Sequence, residues 1–214
     1  MKKLYVLNTL TATGIIAVIR SQTQKEAIKT STACINGGIK GIEITFTTPG
    51  ADNVIRELTS IYQKHNIIIG AGTVLDNITA RIAILAGAKF IVSPFYDQNI
   101  AKLCNLYQTP YIPGCLTIKE IKQALESGVD IIKLFPGGTV QPSFIKKLKE
   151  PLPQVNIIPT GGINLENVGK WLKSGAIAVG VGESLTFPAK KGKYNEVSKY
   201  AQKFIEHIKK AKEE

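Results

Sequence analysis

Short apolar runs recur along the chain at intervals of roughly 20–25 residues. The segments between them carry apolar residues at spacings of three and four, which is typical of helices that pack one face on a sheet. Strands that alternate with helices predict a parallel sheet. The predicted strands are GIIAVIR (14–20), GIEITF (41–46), IIIGAGTV (67–74), FIVSP (90–94), YIPGC (111–115), DIIKLFP (130–136), NIIPTGG (156–162) and AIAVGVG (176–182).

Eight strand–helix units close a barrel, so the pattern predicts a single (β/α)8 TIM barrel domain over residues 1–214. No Pro/Gly/Ser-rich linker marks a second domain. Residues 1–13 precede the first strand and are expected to form a short helix across the bottom of the barrel, and the tail from Tyr194 onward is expected to be the last helix. An open doubly wound sheet is the competing architecture, but no predicted strand is followed by a GxGxxG turn.

Composition sets the broad class of the protein. Hydrophobic residues make up 44% and charged residues 20% of the chain, which is ordinary for a globular protein. No apolar stretch approaches the roughly 18 residues that a membrane helix needs. The start, MKKLYVLNTLTATG, is studded with Thr and Asn, so we expect no signal peptide and a cytoplasmic location.

The net charge of +11 raises the possibility of a basic nucleic-acid-binding module. The lysines, however, are spread over many predicted helices, and aromatic residues do not alternate with them as they would on a stacking platform. Groups such as KKLKE (146–150) and KKGK (190–193) are therefore interpreted as solvated helix faces. We expect neither a nucleic-acid partner nor a membrane partner. The positive charge is expected to attract anionic metabolites in general.

The metal-binding and redox residue types are sparse. Cys34, Cys104 and Cys115 are far apart and odd in number, so neither a disulfide framework nor a zinc site is expected. His65 and His207 have no other ligand at metal-binding spacing. The chemistry of this chain is therefore expected to use neither a metal nor imidazole.

A lysine interrupts the apolar run DIIKLFP. A buried ammonium costs several kcal/mol unless it is paired or gives up its proton, so Lys133 needs an explanation. Strand alternation places Glu43 on the same face of its strand as Thr45 and Thr47, and we expect this polar face to line the barrel interior. Lys133 on the interior face of its own strand would then meet a carboxylate.

Three readings of these charges stay open. Lys133 could be a strand-edge lysine whose stem lies on apolar surface, and Arg20, Glu43 and Lys133 could form a buried ion-pair network. In the functional reading, an amine held near a carboxylate in a low-dielectric pocket acts as a nucleophile. That reading is favoured because catalytic groups of barrel enzymes lie at the carboxyl ends of the strands, where Arg20 is also placed.

The other predicted strand ends carry small or turn-forming residues. Thr73 follows two glycines at the end of the third strand, and Pro94 ends the fourth. TGG (160–162) and GVGES (180–184) end the seventh and eighth strands, where many barrels bind phosphate through glycine amides.

The motifs GIIAVIR, GIKGIEITFTTPGA, IGAGTVL, AGAKFIVSP, YIPGC, IIKLFPG, IPTGGIN and AVGVG, in this order, resemble the class I aldolases of 2-keto-3-deoxy-6-phosphogluconate (KDPG). That family includes enzymes that act on 4-hydroxy-2-oxoglutarate (KHG) and on the phosphogalactonate epimer. The resemblance runs from Gly14 to the last helix. It implies cleavage of a keto-deoxy sugar acid to pyruvate and an aldehyde without a cofactor, by a homotrimer.

The resemblance also implies roles for individual residues. Lys133 corresponds to the Schiff-base lysine, Glu43 to the general acid/base and Thr73 to the residue that receives the pyruvyl carboxylate. The remaining implied contacts are pocket-lining residues and a phosphate-binding turn, namely Arg20, Pro94, Phe135, Gly161 and Gly162.

Two positions depart from the pattern of the family. Thr47 stands where many members carry an arginine that holds polar groups of the substrate, and Arg20 could compensate for it. Glu183 stands where a phosphate-binding serine is common, with Ser184 one residue later, so the anion site is expected to use Ser184 or the region of Gly182 while Glu183 turns outward. The alternatives are an aldolase for unphosphorylated keto acids or KHG, and another phosphate-binding barrel such as an epimerase or decarboxylase.

Overall fold

The computed structural model describes residues 1–213 and contains eight parallel strands in one barrel. Neighbours in the sheet follow chain order from the first strand to the seventh, the eighth pairs with the first, and a parallel bridge between Thr160 and Gly180 joins the seventh and eighth. The predicted (β/α)8 TIM barrel is confirmed. The strands are β1 (Ile15–Ile19), β2 (Gly41–Thr45), β3 (Ile68–Gly72), β4 (Ile91–Ser93), β5 (Tyr111–Cys115), β6 (Ile132–Leu134), β7 (Ile157–Pro159) and β8 (Val179–Val181).

Helices surround the barrel and connect successive strands. Short 3₁₀ helices at Gly137–Thr139 and Phe187–Lys191 extend the connections after β6 and β8. The α-helices are α1 (Lys2–Thr13), α2 (Gln24–Asn36), α3 (Ala51–Ile61), α4 (Asn77–Leu85), α5 (Gln98–Leu106), α6 (Ile118–Glu126), α7 (Phe144–Lys149), α8 (Val168–Lys173), α9 (Glu183–Thr186) and α10 (Tyr194–Glu213). The expected first and last helices are α1 and α10.

The amino-terminal half of the barrel interior is filled by apolar side chains. A Cβ added to Gly41 would lie 2.8 Å from Cδ2 of Leu10, so α1 packs directly against the bottom of β2. Because this end is filled, the polar interior positions are left for the carboxyl ends of the strands. The inner cluster consists of Val6, Leu10, Ile16, Ile68, Phe90, Val92, Ile112, Ile131, Ile158 and Ala178.

The three cysteines of the chain lie in its core. Cys34, Cys104 and Cys115 are buried and unpaired, and burial raises the pKa of each thiol to about 12. These thiols stay protonated at neutral pH. Within residues 1–213, no three His, Cys, Asp or Glu side chains are grouped as a metal site would require.

None of the helices within residues 1–213 is both long enough and apolar enough to cross a membrane.

Candidate active site

Lys133 of β6 and Glu43 of β2 meet inside the barrel. The two strands lie on opposite sides of the barrel, and the long lysine side chain spans the interior between them. The Nζ atom of Lys133 lies 3.6 Å from Oε1 of Glu43, and the side chains are only 8% and 4% exposed. Lys133 is therefore not a strand-edge lysine with its ammonium group in water.

Gly72 provides the space for the carboxylate of this pair. A Cβ added to Gly72 of β3 would lie 1.9 Å from Oε1 of Glu43, and even a methyl group there would displace the carboxylate. Gly114 of β5 is in register with Lys133, but a Cβ added there would lie 2.1 Å from the Pro94 carbonyl oxygen, so this glycine makes room for the segment after β4. Of the two glycines in the GAG sequence of β3, Gly72 thus leaves room for Glu43, whereas Gly70 faces the ring of Phe90.

The hydrogen-bonding capacity of the Lys133–Glu43 pair is not fully used. At 3.6 Å the contact is an ion pair rather than a hydrogen bond, and Oε1 of Glu43 is buried without any hydrogen-bond donor among residues 1–213. The Nζ atom of Lys133 also lies 5.1 Å from the centroid of the Phe135 ring. A buried amino group beside a carboxylate oxygen that has no hydrogen-bond donor is suited to nucleophilic attack assisted by proton transfer.

Thr73 and Pro94 follow β3 and β4 at the same end of the barrel. Thr73 is half-buried and has φ of 53°, a left-handed backbone conformation that is unusual for threonine. Residues held in such strained conformations are found preferentially at functional sites. The segment after β4 is fixed by the buried Tyr111, whose hydroxyl contacts Ser93 Oγ at 2.6 Å, donates to the Phe95 carbonyl and accepts from the Asp97 amide.

Arg20 and Thr47 lie at the ends of β1 and β2 and differ in their contacts. The Arg20 side chain is exposed, and its guanidinium has no ion-pair or hydrogen-bond partner within residues 1–213. The Thr47 hydroxyl lies 2.9 Å from the hydroxyl of Thr45, which itself donates to the Ile19 carbonyl. Of these two residues, only Arg20 carries a charge, and its guanidinium is available to a ligand.

A cavity of about 660 Å³ opens at the ends of β1, β7 and β8. Val18 of β1 lines it and is in register with Glu43, so the cavity reaches the level of the buried pair. All five predicted phosphate-site residues line it together with Arg20. The full lining is Val18, Arg20, Thr160, Gly161, Gly162, Ile163, Asn164, Gly180, Gly182, Glu183, Ser184, Thr186 and Lys190.

Gly161 and Gly162 form the turn after β7. Both have positive φ (94° and 73°), and their amides donate to no acceptor within residues 1–213. A Cβ added to Gly162 would lie 2.9 Å from Cα of Gly138, so the turn also packs closely on the segment after β6. Two unused amides at the edge of a cavity are available to an anion.

Glu183 and Ser184 have partners of their own. The Glu183 carboxylate is exposed and lies 2.5 Å from Nζ of Lys190, whose hydrogen bond and charge lower the pKa of Glu183. The Ser184 hydroxyl donates at 2.5 Å to the Ile163 carbonyl. Ser184 therefore offers an incoming anion no hydroxyl proton in this arrangement, and the expected use of Ser184 would require that hydrogen bond to break.

Lys190 is a residue of this cavity that the sequence pattern assigns to a solvated helix face. It is exposed, but the 3₁₀ helix after α9 turns it back toward the cavity mouth. Asn164 and Thr160 also line the cavity and carry no sequence signal beyond their proximity to the TGG turn.

Comparison with known proteins agrees with this architecture. Residues 6–200 match the family model for KDPG and KHG aldolases. A 2-dehydro-3-deoxy-phosphogluconate aldolase of Treponema pallidum (strain Nichols) is 31% identical over 210 residues, which are 95% of this chain and 97% of the relative.

Solved structures give the same result. A KDPG aldolase from Legionella pneumophila, with pyruvate captured as a covalent carbinolamine intermediate, superposes with a TM-score of 0.84 at 26% identity over 94% of this chain and 97% of that one. A cube-shaped cage designed by fusing symmetric oligomeric domains superposes with a TM-score of 0.87 at 28% identity, over 94% of this chain and 73% of that one. The chain belongs to the KDPG and KHG aldolase family.

Proposed function

We propose that this protein is a class I aldolase that cleaves KDPG to pyruvate and glyceraldehyde 3-phosphate through a Schiff base on Lys133. The observation that carries the proposal is the buried Lys133–Glu43 pair at the carboxyl ends of the strands. The covalent pyruvate adduct of the Legionella relative supports the same class of reaction. Aldol cleavage next to a ketone requires an electron sink, which a protonated imine provides.

In this mechanism the neutral amine of Lys133 attacks the C2 ketone, and loss of water from the carbinolamine gives an iminium ion. Glu43 then takes the proton of the C4 hydroxyl as the C3–C4 bond breaks. The bonding electrons move into the iminium and form an enamine, and the aldehyde leaves. Glu43 returns a proton to C3, and hydrolysis of the resulting iminium releases pyruvate and the free lysine.

Substrate orientation follows from the two ends of the site. The carboxylate of the substrate would lie at Thr73, beside Pro94 and Phe135. The distal phosphate would lie in the cavity at Gly161 and Gly162, with the Arg20 guanidinium as its free cation. Charge-assisted contacts of this kind would place the C2 carbon above Lys133.

A phosphorylated substrate is expected to be better than its unphosphorylated analogue by about tenfold or more in kcat/KM, since one charge-assisted contact contributes about 1.5–3 kcal/mol. Pyruvate release would be measured from KDPG, from unphosphorylated 2-keto-3-deoxygluconate and from KHG, after dialysis against EDTA because no metal is expected. No pyruvate from any of them, or activity that returns only with a divalent ion, would favour the epimerase or decarboxylase alternative. A salt-dependent gel-mobility shift of duplex DNA, together with no pyruvate release from any of the keto acids, would favour the nucleic-acid-binding module.

The Glu183→Ser variant tests the phosphate end. Removal of a carboxylate beside the anion frees Lys190, so kcat/KM for KDPG should rise by roughly 2–10-fold while the value for the unphosphorylated acid stays constant. Glu196→Ser is the matched control, because Glu196 forms a similar ion pair with Lys193 but does not line the cavity. If phosphate gave no advantage in the wild type but a large one in Glu183→Ser, the enzyme would be one for unphosphorylated keto acids.

We also propose that the protein is a homotrimer. An apolar strip on α4 is exposed at positions separated by four and three residues, with Ile78 70%, Ile82 42% and Leu85 59% accessible. Leu75 and Phe95 extend the strip toward the ends of β3 and β4. The designed cage that superposes on this chain uses oligomeric domains, which supports a second copy as the occupant of this face.

Light scattering is expected to give three times the monomer mass for the wild type and the monomer mass for Ile78→Lys, because a charge at the centre of an apolar contact disfavours association. Leu4→Lys is the control, since Leu4 is similarly exposed but lies on α1 at the opposite end of the barrel. A wild type that is monomeric at micromolar concentration, or an Ile78→Lys variant that stays trimeric, would contradict this assignment.

A further inference from the structure

The turn that follows β2, Thr45–Thr48, contacts the strands on both sides of it. It is closed by a hydrogen bond from the Thr48 amide to the Thr45 carbonyl, 2.9 Å long. On one side the Phe46 amide donates to the Gly72 carbonyl at 2.8 Å, directly before Thr73. The turn is therefore tied to the position where the substrate carboxylate is expected.

On the other side the turn holds both neighbours of Arg20. The Thr45 hydroxyl donates to the Ile19 carbonyl at 3.1 Å, and the Thr48 hydroxyl accepts the Ser21 amide at 3.2 Å. Thr45 and Thr48 are 0% and 2% exposed, so these bonds are shielded from water. The backbone of Arg20 is thus held between two buried hydrogen bonds, while its side chain is free to reach the cavity.

We propose that Thr45 and Thr48 are positioning residues that set the Arg20 guanidinium at the cavity mouth and so determine the affinity for the distal anion of the substrate. This inference rests on the proposed function. It also gives a role to the sequence TFTT (45–48), in which Thr47 stands where many family members carry an arginine. The turn contributes no positive charge of its own, and instead orients the guanidinium of Arg20 directly after β1. Since the same turn continues from Glu43, it fixes the spacing between the proton shuttle and the anion contact.

The test compares Thr48→Val with the wild type. Valine keeps the shape of threonine but leaves the Ser21 amide without its acceptor, so one of the two hydrogen bonds that hold the Arg20 backbone is lost. We expect KM for KDPG to rise about tenfold with kcat within about twofold. Trapping of pyruvate on Lys133 by borohydride should proceed at the wild-type rate, because pyruvate has no distal anion.

Two further variants separate positioning from general damage. Thr48→Ser restores the acceptor and should restore KM. Thr30→Val is the matched control, because Thr30 is equally buried on α2 and its hydroxyl has no hydrogen-bond partner within residues 1–213, so its kinetics should be those of the wild type. Thr45→Val removes the other bond to the Arg20 backbone and provides a second measurement if Thr48→Val does not fold.

A double-mutant cycle decides whether Thr48 acts through Arg20. In an Arg20→Met background, Thr48→Val should raise KM no further. An unchanged KM in Thr48→Val, an equal rise in the Arg20→Met background, or a parallel loss of pyruvate trapping would overturn the inference. A wild-type protein that neither traps pyruvate nor cleaves KDPG would instead refute the proposed function itself.

Discussion

Lys133→Ala is expected to lower kcat for KDPG cleavage by about 10⁴-fold or more, because removal of a covalent nucleophile leaves only binding and electrostatic contributions. Borohydride reduction in the presence of pyruvate should attach a stable adduct to the wild-type peptide that contains IIKLFPG and to no peptide of the variant. Mass spectrometry of the digested protein makes both comparisons directly.

Lys133→Arg separates a nucleophile from a structural ion pair. Arginine preserves the positive charge opposite Glu43 but its guanidinium forms no imine with pyruvate. The variant should therefore be as inactive as Lys133→Ala. Lys89→Ala, at an exposed position before β4, is the control and should keep full activity. An active Lys133→Arg enzyme, or an adduct on another lysine, would return Lys133 to the role of a buried ion-pair partner.

Glu43→Gln should lower kcat by a factor on the order of 10² or more while some imine with pyruvate still forms. Glutamine keeps the size of the side chain and its place between β2 and Gly72, but it accepts no proton at neutral pH. The unsatisfied Oε1 atom of Glu43 has no donor that would occupy it instead, which supports a role in moving protons.

Separate measurement of the two steps makes the Glu43 prediction specific. The rate of borohydride trapping with pyruvate reports imine formation, and the rate of KDPG cleavage reports the whole cycle. Glu57→Gln on the exposed face of α3 removes the same charge outside the site and should change neither rate. An unchanged cleavage rate in Glu43→Gln would assign the proton transfer to another group.

Much of the site could be predicted because strand alternation is a local property. In GIEIT the side chains alternate at a period of two, so once Ile42 and Ile44 belong to the outer core, Glu43 must point inward. The same argument places Lys133 on the interior face between Ile132 and Leu134. The recurrence of eight strand–helix units predicts the barrel for an equally local reason, since each unit buries its own apolar faces.

The distances within the candidate site could not be predicted this way. The 3.6 Å approach of Lys133 to Glu43 depends on closure of the barrel and on Gly72, which leaves room for the carboxylate. The orientation of Glu183 toward Lys190, and of Ser184 toward the Ile163 carbonyl, depends on how α9 and the following 3₁₀ helix turn after β8. No periodicity encodes those turns.

The sequence by itself determined the barrel class, the inward direction of Glu43 and Lys133, and the strand ends at which Arg20, Thr73, Pro94 and the glycine turns lie. Only the tertiary structure decided that the lysine and the carboxylate meet across the barrel, that Thr45 and Thr48 hold the backbone of Arg20, and that Lys190 reaches the cavity mouth. The physical reason is range: apolar periodicity reflects the geometry of single strands and helices, whereas these contacts join residues far apart in the chain and exist only after the strands have closed around a common interior.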